Sequence, residues 1–216
     1  MHPVTSSPTD ALSSPMRRAL ELAWEAFCSG SFPVGAVIVD AAGNVVAEGR
    51  NRMGESDAPP GRLRGTGIAH AEVDALSQLR FGDYAGHVLH TTLEPCLMCR
   101  SAITMAHVGT VRYLAADALC DGLHRIPELN GHASRRYPTM HRVHHDEAPI
   151  AARFASVLPM AVLLLFGPEG DTASHYREHA SIEAAMAERL VAEQLWPDRA
   201  LDLDGAIESL LPILEA

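Results

Sequence analysis

Apolar positions along the chain change period several times, and each change marks an element. Leu20, Trp24 and Phe27, spaced by four and three after Pro15, predict a helix that stops at Ser29-Gly30-Ser31. PVGAVIVD and NVVAEGR, two Val-rich runs separated by Ala41, Ala42 and Gly43, predict a β-hairpin over 34–40 and 44–50. The first run is apolar on both faces, which places it centrally. A loop from Asn51 to Thr66, with three Gly and two Pro, leads to a short helix near Ala69 to Leu79. HVLHTTL (87–93) then reads as a strand, Pro95 to about Ala106 as a helix and VRYLAAD (111–117) as another strand. Strands alternating with helices at these lengths imply an α/β fold of three layers, α/β/α, around a mixed sheet of about five strands. The hairpin is antiparallel and the helical crossovers force parallel pairs.

Downstream, Ala148 to Phe166 is apolar enough to raise a membrane span, but Arg153, Pro149, Pro159 and the lack of flanking basic residues argue against one. The pattern predicts a buried helix over about 149–158, interrupted at Pro159. A helix over about 172–196, with Ile182, Met186 and Leu190 on one face and Pro197 as its stop, and a shorter one within 205–214 follow. Residues 1–14, rich in Ser, Thr and Pro, read as a loose, disordered tail. The expected organisation is thus a tail (1–14), a central domain (15–168) and an acidic helical C-terminal extension (169–216).

Of the 216 residues 47% are hydrophobic and only 5% aromatic, so the core is expected to be aliphatic. The net charge of −10 is concentrated in the extension, where 11 acids face three Arg. No lysine occurs anywhere, and clustered cations for a phosphate backbone reduce to pairs such as Arg62 with Arg64 and Arg135 with Arg136. Nucleic acid is therefore disfavoured as a partner. Four cysteines and an N-terminus without a basic or apolar leader fit a reducing cytoplasm.

Two short patterns carry chemistry: His70-Ala71-Glu72 and Pro95-Cys96-Leu97-Met98-Cys99. Either alone is weak, since a helical His is more often a solvated or core residue and a Cys-x-x-Cys also reads as a redox pair or as two small hydrophobes. Both fall at predicted helix N-termini, where they can face one cleft. His70, Cys96 and Cys99 are three ligands of the kind zinc prefers, with a fourth position left open as in catalytic sites. Glu72 is too close in sequence to His70 to be a comfortable ligand, yet near enough to exchange protons with a metal-bound water. H-x-E with P-C-x-x-C is the signature of zinc deaminases.

With FPVGAVIV (32–39), EGRNR (48–52), AHAEVDAL (69–76) and TLEPCLMCRSAI (92–103), in order and over about half of the chain, the sequence resembles the cytidine-deaminase-like superfamily. The similarity is to its branch of tRNA adenosine, guanine and cytosine deaminases. The resemblance implies that His70, Cys96 and Cys99 bind Zn2+, that Glu72 shuttles protons while a zinc-activated water attacks the ring carbon bearing the amine, and that Asn51 hydrogen-bonds the base. Ala71 and Phe32 are further expected substrate contacts, and the resemblance implies an oligomer, expected to be a homodimer. Read from the residues alone, Asn51 is equally a loop residue bonding its own backbone, and Phe32 equally a core residue or a stacking surface.

Cys28 and Cys120 read as buried free thiols. Five histidines between His124 and His145 read as a solvated cluster, with a second metal or a lid as the rival. Arg100 and Ser101 stand where relatives place two small residues. The leading reading is a zinc hydrolase that deaminates a purine or pyrimidine base, nucleoside or related small heterocycle, without nucleic acid or membrane. A tRNA-specific adenosine deaminase, a non-catalytic zinc-binding interaction subunit and a Cys-x-x-Cys redox protein are the alternatives.

Overall fold

The computed structural model describes residues 7–143 and 148–215. Helix α1 (Ser14–Cys28) precedes a hairpin of β1 (Gly35–Val39) and β2 (Val45–Arg50). There follow α2 (Ala71–Leu76), β3 (Val88–Leu93), α3 (Leu97–Ala106), β4 (Thr110–Ala115), α4 (Gly131–Arg136) and β5 (Thr139–Arg142). The C-terminal part is helical: α5 (Pro149–Phe166), α6 (Asp171–His179), α7 (Ser181–Ala192), α8 (Leu203–Ser209) and α9 (Leu211–Leu214). The sheet order is β2-β1-β3-β4-β5. β1 pairs antiparallel with both β2 and β3, and the pairs β3–β4 and β4–β5 are parallel. This is the mixed five-stranded sheet between helical layers that the pattern implies.

β1 is buried at every position because both of its faces are covered. Ala36 and Ile38 meet Ala71, Ala75 and Ile103 of α2 and α3 on one face, while Val37 and Val39 meet Ala19 and Leu22 of α1 on the other. Close approach needs glycine at two points. A Cβ on Gly35 would lie 2.1 Å from the Ala19 carbonyl oxygen, and one on Gly49 would lie 2.2 Å from that of Ala71.

Four expectations need correction. α5 continues through Pro159 instead of breaking there. The missing N–H costs about 3 kcal/mol in a helix interior, but Phe154, Ala155 and Leu158 before the proline and Ala161 and Leu164 after it are all buried in one core, which offsets that cost. α5 is long and apolar enough to cross a membrane, yet 56% of it is buried inside the protein. The helix expected over 172–196 is two helices, broken at Ala180 (φ −141°, ψ 51°). Ile182, assigned to the buried face, is exposed, and Ala184, Met186, Ala187 and Leu190 carry the contact. Finally, the described part of the N-terminal segment is anchored at one point: Thr9 is fully buried and its hydroxyl donates to Asp204 at 2.7 Å.

The extension shares the main core. Leu190, Ile207, Leu210 and Ile213 pack in one cluster with Met16, Leu20, Trp24 and Phe154, and the Trp24 indole donates to the Leu201 carbonyl at 2.9 Å.

Candidate active site

α2 and α3 begin at the same end of the sheet, so their first residues converge. His70 is the N-cap of α2 and Cys96 that of α3, with Cys99 in its first turn. His70 Nδ1 lies 3.7 Å from Cys96 Sγ and 3.5 Å from Cys99 Sγ, and all three donor atoms fall within 4.8 Å of one another. A tetrahedral zinc with bonds of about 2.1 Å to nitrogen and 2.3 Å to sulfur has N···S edges of about 3.6 Å. The donor set therefore fits zinc in both chemistry and spacing.

Proton placement agrees with a ligand set. The Cys96 thiol is pulled down to about 4, first by the bond from Cys99 and then by His70. Cys99 is pushed up because it keeps the proton shared with Cys96 and is buried. His70 is raised chiefly by its contact with Cys96. A metal displaces such protons, since its ligands bind deprotonated. Both cysteines are free thiols.

Glu72 is buried, and burial pushes its carboxyl up. Its two oxygens are placed separately: Oε1 accepts the Thr91 hydroxyl at 3.2 Å, and Oε2 lies 3.3 Å from Cys99 Sγ. The carboxyl thus stands beside the three donors without being one of them.

Arg100, conspicuous in the sequence only as a departure, holds the loop that carries Cys96. Its Nε donates to the Pro95 carbonyl at 2.9 Å and its Nη1 to the Tyr137 hydroxyl at 2.8 Å, and it pairs with Glu94. The guanidinium is buried, so these charge-assisted bonds fix the turn between β3 and α3.

A cavity of about 240 Å³ opens beside the donors, lined by Asn51, Ala71, Phe32, Glu72, His70 and Cys96 among others. Asn51 is buried and its Oδ1 accepts from the Met53 N–H at 2.9 Å. The loop-bonding reading is thus realised at one end of the amide, which leaves the NH2 end for the cavity. Phe32 is half-buried and stacks on Phe166 of α5, with centroids 6.2 Å apart.

The sequence did not mark out the far wall, made by Asp117 with Pro159 and Leu163 of α5 and Tyr176 of α6. Tyr176 donates to Asp117 Oδ1 at 2.9 Å, and burial raises the Asp117 carboxyl. A polar residue closing the strand pattern VRYLAAD was the only local signal for Asp117, and Tyr176 is 59 residues further on.

The remaining candidates lie elsewhere. His124, His132 and His141 are exposed on separate elements, and His144 and His145 fall outside the described residues. Among the described residues the only cluster able to hold a metal is His70, Cys96 and Cys99. Cys120 is buried, whereas Cys28 is only half-buried.

Gly49 sets the position of α2, and Gly49→Ala is a direct test of that coupling. The new Cβ meets backbone atoms, the Ala71 oxygen at 2.2 Å and the Ala75 nitrogen at 2.4 Å, so α2 must move. Loss of about 1–3 kcal/mol of stability is expected, together with weakened zinc retention. Thermal melts with metal analysis read both, and unchanged values for the two would show that α2 does not depend on this contact.

Residues 10–115 match the family model of the cytidine and deoxycytidylate deaminase zinc-binding region. The tRNA-specific adenosine deaminase of Haemophilus influenzae is 38% identical over 106 residues, which are 47% of this chain and 57% of that protein. That of Rickettsia bellii is 31% identical over 108 residues, 48% of this chain and 69% of that protein. A solved chain from structural studies of A-to-I editing by tRNA:A34 deaminases is 28% identical and superposes with a TM-score of 0.50, over 60% of this chain and 96% of its own. The chain therefore spans little more than half of the Haemophilus protein, and α5 to α9 lie beyond the matched family region. With His70, Cys96 and Cys99 assembled inside that region into a set able to hold a metal, the chain belongs to the cytidine and deoxycytidylate deaminase family of zinc-binding proteins.

Proposed function

We propose that the protein hydrolytically deaminates a small neutral aminated heterocycle, a purine or pyrimidine base or nucleoside. The observation that carries this reading is the roof. Pro159, Leu163 and Tyr176, all beyond the matched family region, close the cavity to about 240 Å³. That lies below the roughly 300–1,000 Å³ of pockets for drug-sized ligands and suits a single ring system. Glu94, Asp117 and Glu72 line it and, among the described residues, no arginine does. A phosphate at its mouth gains no partner there.

In this reading His70, Cys96 and Cys99 hold the ion, which when bound supplies a water acidified to near neutrality. Glu72 accepts a proton from the attacking water and delivers protons to the ring nitrogen and the leaving amine, and ammonia departs. The Asn51 amide donates to an acceptor on the ring edge. Ala71, small and fully buried, lets the ring approach the donors, and Phe32 covers one ring face. Asp117, held by Tyr176, stands as an acceptor for an exocyclic amine. A homodimer belongs to the same reading, supported by Leu97 and Met105, both largely exposed on α3.

The tRNA reading is favoured by the similarity to the tRNA-specific adenosine deaminases of Haemophilus influenzae and Rickettsia bellii. Ammonia release from free bases, nucleosides, single-stranded DNA and tRNA at two salt concentrations separates the two. Turnover of small substrates with little dependence on salt is expected. Efficient turnover of a polynucleotide, falling steeply with salt as counterion release demands, would overturn the small-substrate reading. No turnover of any substrate by zinc-loaded protein would favour the non-catalytic subunit.

A further inference from the structure

The face of the sheet that carries α1 holds a second polar cavity, of about 440 Å³, away from the zinc donors. Its floor is a row of basic side chains across three strands. His90 on β3 is the register partner of Arg112 on β4, which is in turn the partner of His141 on β5. Arg142, the last residue of β5, borders this cavity and also a neighbouring one lined by Asp117, Tyr176 and Glu183, and Ser13 and Met16 at the start of α1 close the cavity on the other side. No Asp or Glu lines it among the described residues, in a chain with a net charge of −10. Two guanidinium groups with no carboxylate beside them in this cavity leave it electropositive and suited to an anion.

Two further observations point to a ligand. α1 has no acidic residue in its first turn and no side-chain cap from Ser13, so its free N–H groups and dipole favour negative charge at this end. His90 lines the cavity while only 6% exposed, and its Nδ1 is buried without a partner. A proton on Nδ1 would bury an unsatisfied donor, so the neutral ring carries it on Nε2, the nitrogen not closed off inside the protein.

We propose that this cavity is a binding site for a phosphoryl group, as inorganic phosphate or on a small phosphorylated metabolite, held by Arg112, Arg142, His141 and His90. The arginines offer forked donors matched to the phosphate oxygens. The site is separate from the zinc centre: Thr91, which follows His90, bonds Glu72, and successive strand residues face opposite sides of the sheet. It stands whether or not the deaminase reading holds.

Calorimetric titration of the zinc-loaded full chain with inorganic phosphate, and separately with a nucleoside monophosphate, tests this. Saturable binding is expected, weakened about tenfold or more in Arg112→Gln and in Arg142→Gln. Both positions are exposed, so the variants should fold, which circular dichroism verifies. Tighter binding of the nucleotide, lost in the same variants, would assign the rest of the cavity to a nucleoside. Absence of binding tighter than about 1 mM for both ligands, equal affinity in the variants, or binding abolished by chelation of zinc instead would overturn the proposal.

Discussion

Glu72→Gln is expected to lower the deamination rate by about 10²–10⁴ while the zinc content stays at that of the parent protein. The substitution is nearly isosteric, and the Thr91 hydroxyl can still donate to the remaining carbonyl oxygen at the 3.2 Å position. What is lost is the capacity to take and return a proton beside the donors. The three ligand atoms are untouched, so metal analysis should not change. Cys96→Ala is expected to do the reverse: it removes one of three ligands and with it the bound metal, and activity disappears for lack of an ion. The pair of variants separates a proton carrier from a ligand. A Glu72→Gln enzyme within a few-fold of the parent rate would show that the carboxyl is structural, and zinc undiminished in Cys96→Ala would remove the ligand assignment itself.

The sequence was informative wherever structure follows from local spacing. α1, the hairpin, β3, α3 and β4 are set by runs whose period is visible within a dozen residues, and the three donors lie at helix starts that the same periods locate. It was misleading where tertiary burial outweighs local rules. Pro159 breaks a helix in isolation, but α5 is held on both sides of it by one apolar core. The stretch over 172–196 contains no glycine or proline before Pro197, so nothing local marks the break at Ala180, and the reset in phase turns Ile182 to solvent. The far wall of the cavity was hidden for a different reason. Asp117 and Tyr176 acquire meaning only through a contact 59 residues apart in sequence, and Arg100 only through Glu94, Pro95 and Tyr137.

Deletion of residues 169–216 is expected to abolish folding, not merely to widen the substrate range. An appended acidic tail would be removable, with small-molecule turnover kept. The helices α6 to α9 are instead part of the core: Met186, Leu190, Leu203, Ile207, Leu210, Ile213 and Leu214 are all buried. Burial of such side chains is worth about 1.5–3 kcal/mol each, and net stability of a whole domain is only about 5–15 kcal/mol. Truncation would also leave Leu20, Trp24 and Phe154 facing water, deprive the Trp24 indole of the Leu201 carbonyl, and remove Asp204, which anchors Thr9 and Arg17 at 2.7 and 3.0 Å. Expression of the truncated chain should therefore give aggregated protein without a cooperative melt. A milder variant keeps the idea testable in soluble protein: Ile207→Ala, fully buried within the same cluster, should cost about 2–5 kcal/mol by denaturant titration with zinc content unchanged. A soluble truncated enzyme with the parent melting temperature and unchanged turnover of bases would refute the shared core, and would remove Tyr176 from the cavity wall with it.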